Sequence, residues 1–171
     1  MAISQHKTKI LLIGLTVLIV DFFTKFYTNQ VVLPMGVGIR VFQNFLGVDF
    51  SIVHATNRGA AWGLFANYHI ILLYFRIVLI SLLSVYLFFF NKYPKRTVPL
   101  TLITAGALGN IIDYFLYGHV VDMFYFIFWS YDYPVFNVAD SAICIGIFWL
   151  IIQSWFEKEH ASSVESKNEH F

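Results

Sequence analysis

Four apolar runs, at about 10–27, 69–90, 97–116 and 135–156, are close to the roughly 20 helical residues that cross a bilayer core. No other feature restricts the fold as strongly. In hydrocarbon a backbone must satisfy its own hydrogen bonds, so runs of this length are helices. Composition agrees: of 171 residues, 58% are hydrophobic, 19% aromatic and only 12% charged, against about 25% charged in a soluble domain. A water-soluble fold of this length has no interior for that much apolar surface. The expected fold class is an all-α membrane protein with four transmembrane helices. One transmembrane domain covers 1–156, and a polar, flexible cytoplasmic tail covers 157–171.

A net charge of +1 offers no electrostatic basis for binding nucleic acid. Cys144 is the single cysteine, which excludes an intramolecular disulfide framework. Inside an apolar run it reads as a small buried hydrophobe. Lys7 and Lys9 before ILLIGLTVLIV look like a secretory signal peptide, but no small-x-small cleavage site follows. The run continues through Asp21 to Lys25, so the segment reads as an uncleaved first helix.

Orientation follows from the basic residues. Lys7, Lys9, Lys92, Lys95, Arg96, Lys158 and Lys167 fall on one side of a four-span arrangement, most of the 11 Lys and Arg residues. The positive-inside rule places both termini and the 91–96 connection in the cytoplasm. All six aspartates, at 21, 49, 113, 122, 132 and 140, then lie at the other side. Arg76, about seven residues into the second span, reaches a similar depth. Ionisable groups beside hydrocarbon are costly, and their concentration in one layer points to a site there.

The external insertion at about 28–68 differs in kind. Val48, Phe50 and Ile52 alternate with Asp49 and Ser51, the period of a half-buried strand, with Gly36, Gly38 and Gly47 supplying turns. Trp62, Phe65 and Tyr68 suggest an interfacial segment leading into the second span, and the Phe124–Tyr133 stretch has the same interfacial bias.

Asn110 and Asp113, and again Asn137 and Asp140, are spaced i, i+3, so on a helix each amide shares a face with a carboxylate. An amide fixes the orientation of a catalytic acid or base. Two carboxylates held close cannot both ionise, so one keeps a proton while the other activates water. Asp122 and Asp140, at the two edges of a short aromatic connection, are the pair placed for that chemistry.

The same residues carry a family resemblance. TNRGAAWGLF (56–65), GALGNIIDY (106–114), VVDMF (120–124) and FNVAD (136–140) resemble, in order, the motif blocks of lipoprotein signal peptidase, or signal peptidase II. DFFTK (21–25) is similar to that family's D-x-x-[TS]-K block. The resemblance implies a bacterial inner-membrane aspartyl endopeptidase with a small periplasmic β-sheet cradle and a short periplasmic helix. Its active site would lie near the periplasmic side. Its substrates would be diacylglyceryl-modified prolipoproteins, cut just before the lipidated cysteine, and its remaining partners would be membrane lipids. Asp122 and Asp140 would be the catalytic dyad. Asn57, Asn110 and Asn137 would line the site, with Asp113, Asp21 and Lys25 in support, and Asp49 and Asp132 solvated. Tyr114 stands where the family usually has Arg, which leaves Arg76 or Arg58 as candidate replacements for that cation.

No cofactor is expected, and a monomer suffices. The six histidines form no closely spaced ligand set, so no metal is expected either, although His119 is three residues from Asp122. Ser141 has no histidine partner in its span. The competing class is a small proton-coupled transporter subunit with an aspartate relay. Such a relay needs ionisable groups through the full membrane depth, whereas the cytoplasmic halves of spans two and four carry none.

Overall fold

A computed structural model describes residues 2–32, 38–58 and 68–168. Helix α1 is Ala2–Val31, α2 is His69–Val85, α3 is Thr97–Tyr117 and α4 is Val138–Asn168. One wider turn, Tyr86–Phe90, prolongs α2, with the Tyr86 carbonyl accepting from Asn91 N–H at 2.8 Å. Among the described residues, four helical segments are long and apolar enough to cross a membrane: Lys7–Val31, His69–Phe90, Pro94–Tyr117 and Val138–Glu157. These are the four expected runs, shifted by a few residues. The insertion begins later than expected because α1 continues to Val31, and the polar segment after Glu157, expected to be flexible, continues as helix to Asn168.

The outer faces of the spans are apolar: Leu11, Phe23, Phe75, Phe115 and Phe148 are each more than half exposed. In lipid that is the low-energy arrangement, because acyl chains are as apolar as leucine. The same reasoning corrects the expectation for Cys144, which is exposed on α4 rather than buried.

Without a hydrophobic force between helices, backbones must approach closely to gain packing energy. Helix α3 is the centre, touching α1, α2 and α4. Against α4 it uses bare backbone. A Cβ on Gly106 would lie 2.4 Å from the Ala139 carbonyl oxygen, and one on Gly146 would lie 2.6 Å from that of Pro99. The buried hydroxyls of Thr101 and Thr104 return to the carbonyls of Thr97 and Leu100, both at 2.7 Å, so no donor is stranded in the interface. Helix α2 has a single buried residue, Ile80, along its regular length. Its far end is held by Leu87, which packs with Ile10 and Leu100.

A four-stranded antiparallel sheet sits at the end of the bundle where α1 and α3 finish and α4 begins. Its strands are β1 Ile39–Phe45, β2 Val48–Asn57, β3 Val120–Phe128 and β4 Tyr131–Asp132, in the order β1-β2-β3-β4. The expected strand at Val48–Ile52 is present and extends to Asn57. The Phe124–Tyr133 stretch was expected to be interfacial, yet most of it is in β3 and β4. A string as apolar as VVDMFYFIF, interrupted only by Asp122, hides the strand period, and only its β-branched and aromatic content betrays it. Gly47 (φ 82°) closes the β1–β2 turn as expected, and Gly118 (φ 73°) ends α3, donating to the Tyr114 carbonyl at 2.9 Å. The interfacial segment expected through Trp62 and Phe65 lies outside the described residues, as does Gly36. The short periplasmic helix is not among the elements described.

Replacing Gly106 with Ala forces a methyl into the Ala139 carbonyl, a rigid neighbour. A loss of about 1–3 kcal/mol is expected from such overpacking, measured as a lower thermal midpoint in detergent. Gly14→Ala is the control, because its Cβ meets Thr101 Cγ2 at an ordinary 3.7 Å. Equal midpoints for the two variants would refute backbone contact as the basis of α3–α4 packing.

Candidate active site

The site is built outward from the first turn of α4. Asn137 precedes the helix and caps it: its Oδ1 accepts from Asp140 N–H at 2.8 Å. In return an Asp140 oxygen accepts from Asn137 N–H at 3.3 Å, completing a reciprocal capping box. The i, i+3 spacing of Asn137 and Asp140 therefore marks a helix start rather than a shared helix face. An N-x-x-D string before an apolar run was the available signal. The cap fixes the Asp140 carboxylate against the backbone and leaves the Asn137 amide nitrogen free to point elsewhere.

That nitrogen donates to Asp122 Oδ1 at 2.7 Å, and is also within 3.1 Å of Asn110 Oδ1 and 3.3 Å of the Val121 carbonyl. Asn137 is completely buried, so this one amide joins the two carboxylates' surroundings. Asp122 comes from β3, opposite Ala55 of β2. Two residues along β2, Asn57 donates to Asp122 Oδ2 at 3.2 Å. From α3, Asn110 Nδ2 donates to Asp140 Oδ1 at 2.8 Å. The structure thus brings Asn57, Asn110, Asn137, Asp122 and Asp140 into one hydrogen-bonded group. It corrects one pairing: Asn110 serves Asp140 on the neighbouring helix, not Asp113 one turn along its own.

Asp113 belongs to a second group, centred on Lys25. The Lys25 ammonium lies 2.7 Å from Asp21 Oδ2, 2.8 Å from Asp113 Oδ2 and 3.0 Å from Asn110 Oδ1. Asp21 also accepts from Ala139 N–H at 2.8 Å, and Asp113 from Val121 N–H at 3.1 Å. Lys25 is 1% exposed and Asp21 2%, so their support of the site takes the form of a buried ion cluster rather than a solvated pair at a helix end. Gly109 makes room for it. A Cβ there would sit 2.7 Å from Asp21 Oδ2, a role that sequence reasoning did not assign. Asn110 belongs to both groups and links them.

Burial is the main influence on Asp122, which is 2% exposed, and the neighbouring Asp140 charge acts in the same direction. Together they push the Asp122 carboxyl up to about 7, against the opposing hydrogen bonds from Asn57 and Asn137. At neutral pH Asp122 is therefore protonated to an extent that an exposed aspartate is not. Asp49 and Asp132, expected to be solvated, each accept a hydrogen bond, from Asn44 N–H and Tyr125 O–H respectively. Ser141 Oγ donates to the Asn137 carbonyl at 2.9 Å. His119, half-buried between α3 and β3, has its imidazole held below the usual value by burial and by nearby Arg58. Tyr114 stacks loosely on His69 at the start of α2, ring centres 6.3 Å apart. Arg58 is exposed just after β2, and Arg76 is partly buried within α2. Among the described residues no group of three or more His, Cys, Asp or Glu is arranged to hold a metal ion.

Residues 13–156 match the family Peptidase_A8, described as signal peptidase (SPase) II. Among curated relatives, two lipoprotein signal peptidases of Chlamydia trachomatis, from serovar L2b (strain UCH-1/proctitis) and serovar L2 (strain ATCC VR-902B / DSM 19102 / 434/Bu), are each 46% identical over 113 residues. The match covers 65% of this chain and 68% of each relative. A bacterial membrane enzyme solved by the in meso method at 2.3 Å superposes with a TM-score of 0.79 at 30% identity, covering 90% of this chain and 91% of its own. A second, solved by the same method at 1.9 Å, gives 0.71 at 31% identity, covering 85% and 92%.

Lys25→Met leaves Asp21 and Asp113 buried without their cation. A loss of about 3–5 kcal/mol is expected from breaking such a cluster on one side, measured by denaturant unfolding in detergent. A loss below about 1 kcal/mol, the range of exposed pairs, would mean that water enters and the cluster is not holding the helices.

Proposed function

The chain belongs to the signal peptidase II family, and on that premise we propose that it is an aspartyl endopeptidase that removes signal peptides from diacylglyceryl-modified prolipoproteins. It cuts the peptide bond before the lipidated cysteine. The observation that carries this proposal is the bridge through Asn137. One buried amide donates to Asp122, while the same residue's backbone N–H and Oδ1 fix Asp140. Two carboxylates locked this way share one proton.

The proton belongs on Asp122, the more buried of the two and the one pushed up to about 7. Asp140, partly exposed in the first turn of α4, is the base. It takes a proton from water as the water oxygen adds to the scissile carbonyl carbon. Asp122 gives its proton to the carbonyl oxygen. Collapse of the tetrahedral diol returns a proton to Asp122 and passes the one on Asp140 to the departing amine. Proton transfer of this kind contributes about 10²–10⁴-fold per positioned group. Asn57 and Asn110 orient the two carboxylates, and the Lys25 cluster holds the elements that carry them.

The substrate's apolar segment suits entry between the spans from lipid, with its acyl chains left in the bilayer. Only the scissile bond must reach the carboxylate layer. The clustering of basic residues at the opposite end supports an orientation with both termini cytoplasmic and the carboxylates facing the periplasm.

Purified enzyme acting on a diacylglyceryl-modified prolipoprotein tests the assignment. Asp122→Asn and Asp140→Asn are each expected to lose at least 10²-fold in turnover, with wild-type cleavage surviving chelators. Full turnover by either variant would sink the dyad. Activity is also expected to fall as pH rises through about 7, because the raised Asp122 then loses the proton it donates. A rate that keeps climbing well above neutrality would assign the proton elsewhere.

A further inference from the structure

Strand β2 carries one residue more than its pairing with β3 requires. The ladder is regular from Val48 opposite Phe128 to Ile52 opposite Phe124, but then Ala55, not His54, stands opposite Asp122. Val53 and His54 together face the single residue Met123, which makes a β-bulge. Side chains alternate along a strand, so the extra residue reverses the phase of all that follow it. Before the bulge, Phe50 shares a side of the sheet with Phe124 and Phe126, its ring centre 4.4 Å from that of Phe126. After it, Asn57 is on that same side and donates to Asp122 Oδ2 at 3.2 Å. An unbroken ladder would set His54 opposite Asp122 and turn the Asn57 amide to the other face.

The bulge is tied down by its own second residue. His54 is 7% exposed, and its Nδ1 lies 3.1 Å from the carbonyl oxygen of Val32, itself 2% exposed. Val32 directly follows α1, and its N–H still closes a helical turn on the Thr28 carbonyl at 3.0 Å. Carbonyls at a helix end lack partners within the helix, and a carbonyl only accepts, so the imidazole proton is on Nδ1. His54 Nε2 is buried without a hydrogen-bond partner among the described residues. A phenyl ring would fill that space without stranding a nitrogen, so what histidine contributes is the Nδ1 donor.

We propose that His54 is a positioning residue for Asp122: it pins the bulge to the end of α1, and the register so fixed delivers the Asn57 amide to the Asp122 carboxyl. Helix α1 also carries Asp21 and Lys25, so this donor is referred to the same frame as the carboxylates. The inference rests on the proposed function for the part of Asp122 as the acid. Burial and Asp140 of α4 favour the protonated form of Asp122, whereas Asn57, Asn137 and Lys25 of α1 favour the ionised form. Loss of the Asn57 hydrogen bond therefore raises the pH at which Asp122 gives up its proton.

Two readouts on the full-length enzyme in detergent test this. One is the infrared carboxyl band of protonated Asp122, identified by its absence in Asp122→Asn and followed against pH without substrate. The other is the pH dependence of prolipoprotein cleavage. His54→Leu is expected to move the band and the alkaline fall of activity up by about one pH unit, the tenfold typical of one hydrogen bond to an ionised carboxylate. Turnover should drop by about 10–10²-fold, as for a slightly misplaced catalytic group. Asn57→Leu should do the same, and the double variant no more. His54→Asn, whose amide nitrogen reaches the Nδ1 position, should stay with wild type. His54→Gln places its amide at the Nε2 position, should follow His54→Leu, and carries the test if the Leu variant does not fold. An unmoved titration in the His54→Leu and His54→Gln variants, additive shifts in the double variant, or equal rescue by Asn and Gln would overturn the proposal. A band that shifts as expected in a protein that cleaves no prolipoprotein would overturn the proposed function and uphold the placement of Asn57 by His54.

Discussion

The buried ammonium of Lys25 is the interaction on which the rest of the structure depends. In a low-dielectric interior an uncompensated charge is expensive, and this one is compensated from three directions by Asp21, Asp113 and Asn110. Each carboxylate also accepts a backbone N–H from another element: Asp21 with its other oxygen from Ala139 at the start of α4, and Asp113 with the same Oδ2 from Val121 in β3. One cation therefore fixes the mutual positions of α1, α3, α4 and β3. Those last two carry Asp140 and Asp122.

The site thus has two kinds of carboxylate, separated by what surrounds them rather than by residue type. Asp21 and Asp113 face the Lys25 ammonium. Asp122 and Asp140 face amides and each other, with Lys25 further away. Asn110 stands between the groups, accepting from the cation with its oxygen and donating to Asp140 with its nitrogen. An amide is suited to that position because it offers both polarities at a fixed separation and does not titrate.

Much of this was legible in the sequence. Long apolar runs admit one structure in lipid, so all four spans were found, and the paired carboxylates stood out because charge is rare beside hydrocarbon. Strand β3 was not legible because VVDMFYFIF is buried over its first four residues, half-buried over the rest, and shows no alternation. Asn110 was assigned to the wrong aspartate because helical spacing names neighbours on one helix, whereas its partner arrives from another chain segment 30 residues away. The strength of the Asp21–Lys25 pair was also out of reach, since burial depends on Gly109 of α3 leaving space. Pairwise spacing reports who is adjacent along an element, and this site is made almost entirely across elements.

Helix α2 stands apart from this frame. It is anchored at its far end through Leu87 and buries little else along its regular length. Helices α1, α3 and α4 are locked by an ion cluster and by backbone contact, which tolerate almost no displacement. The bundle is therefore a tripod of interlocked helices with a fourth stave whose buried anchor lies at the end remote from the carboxylates. An apolar helical guest that pushes the stave aside exchanges one greasy neighbour for another and leaves the tripod undisturbed. On the proposed function, admission and accuracy would fall to different helices.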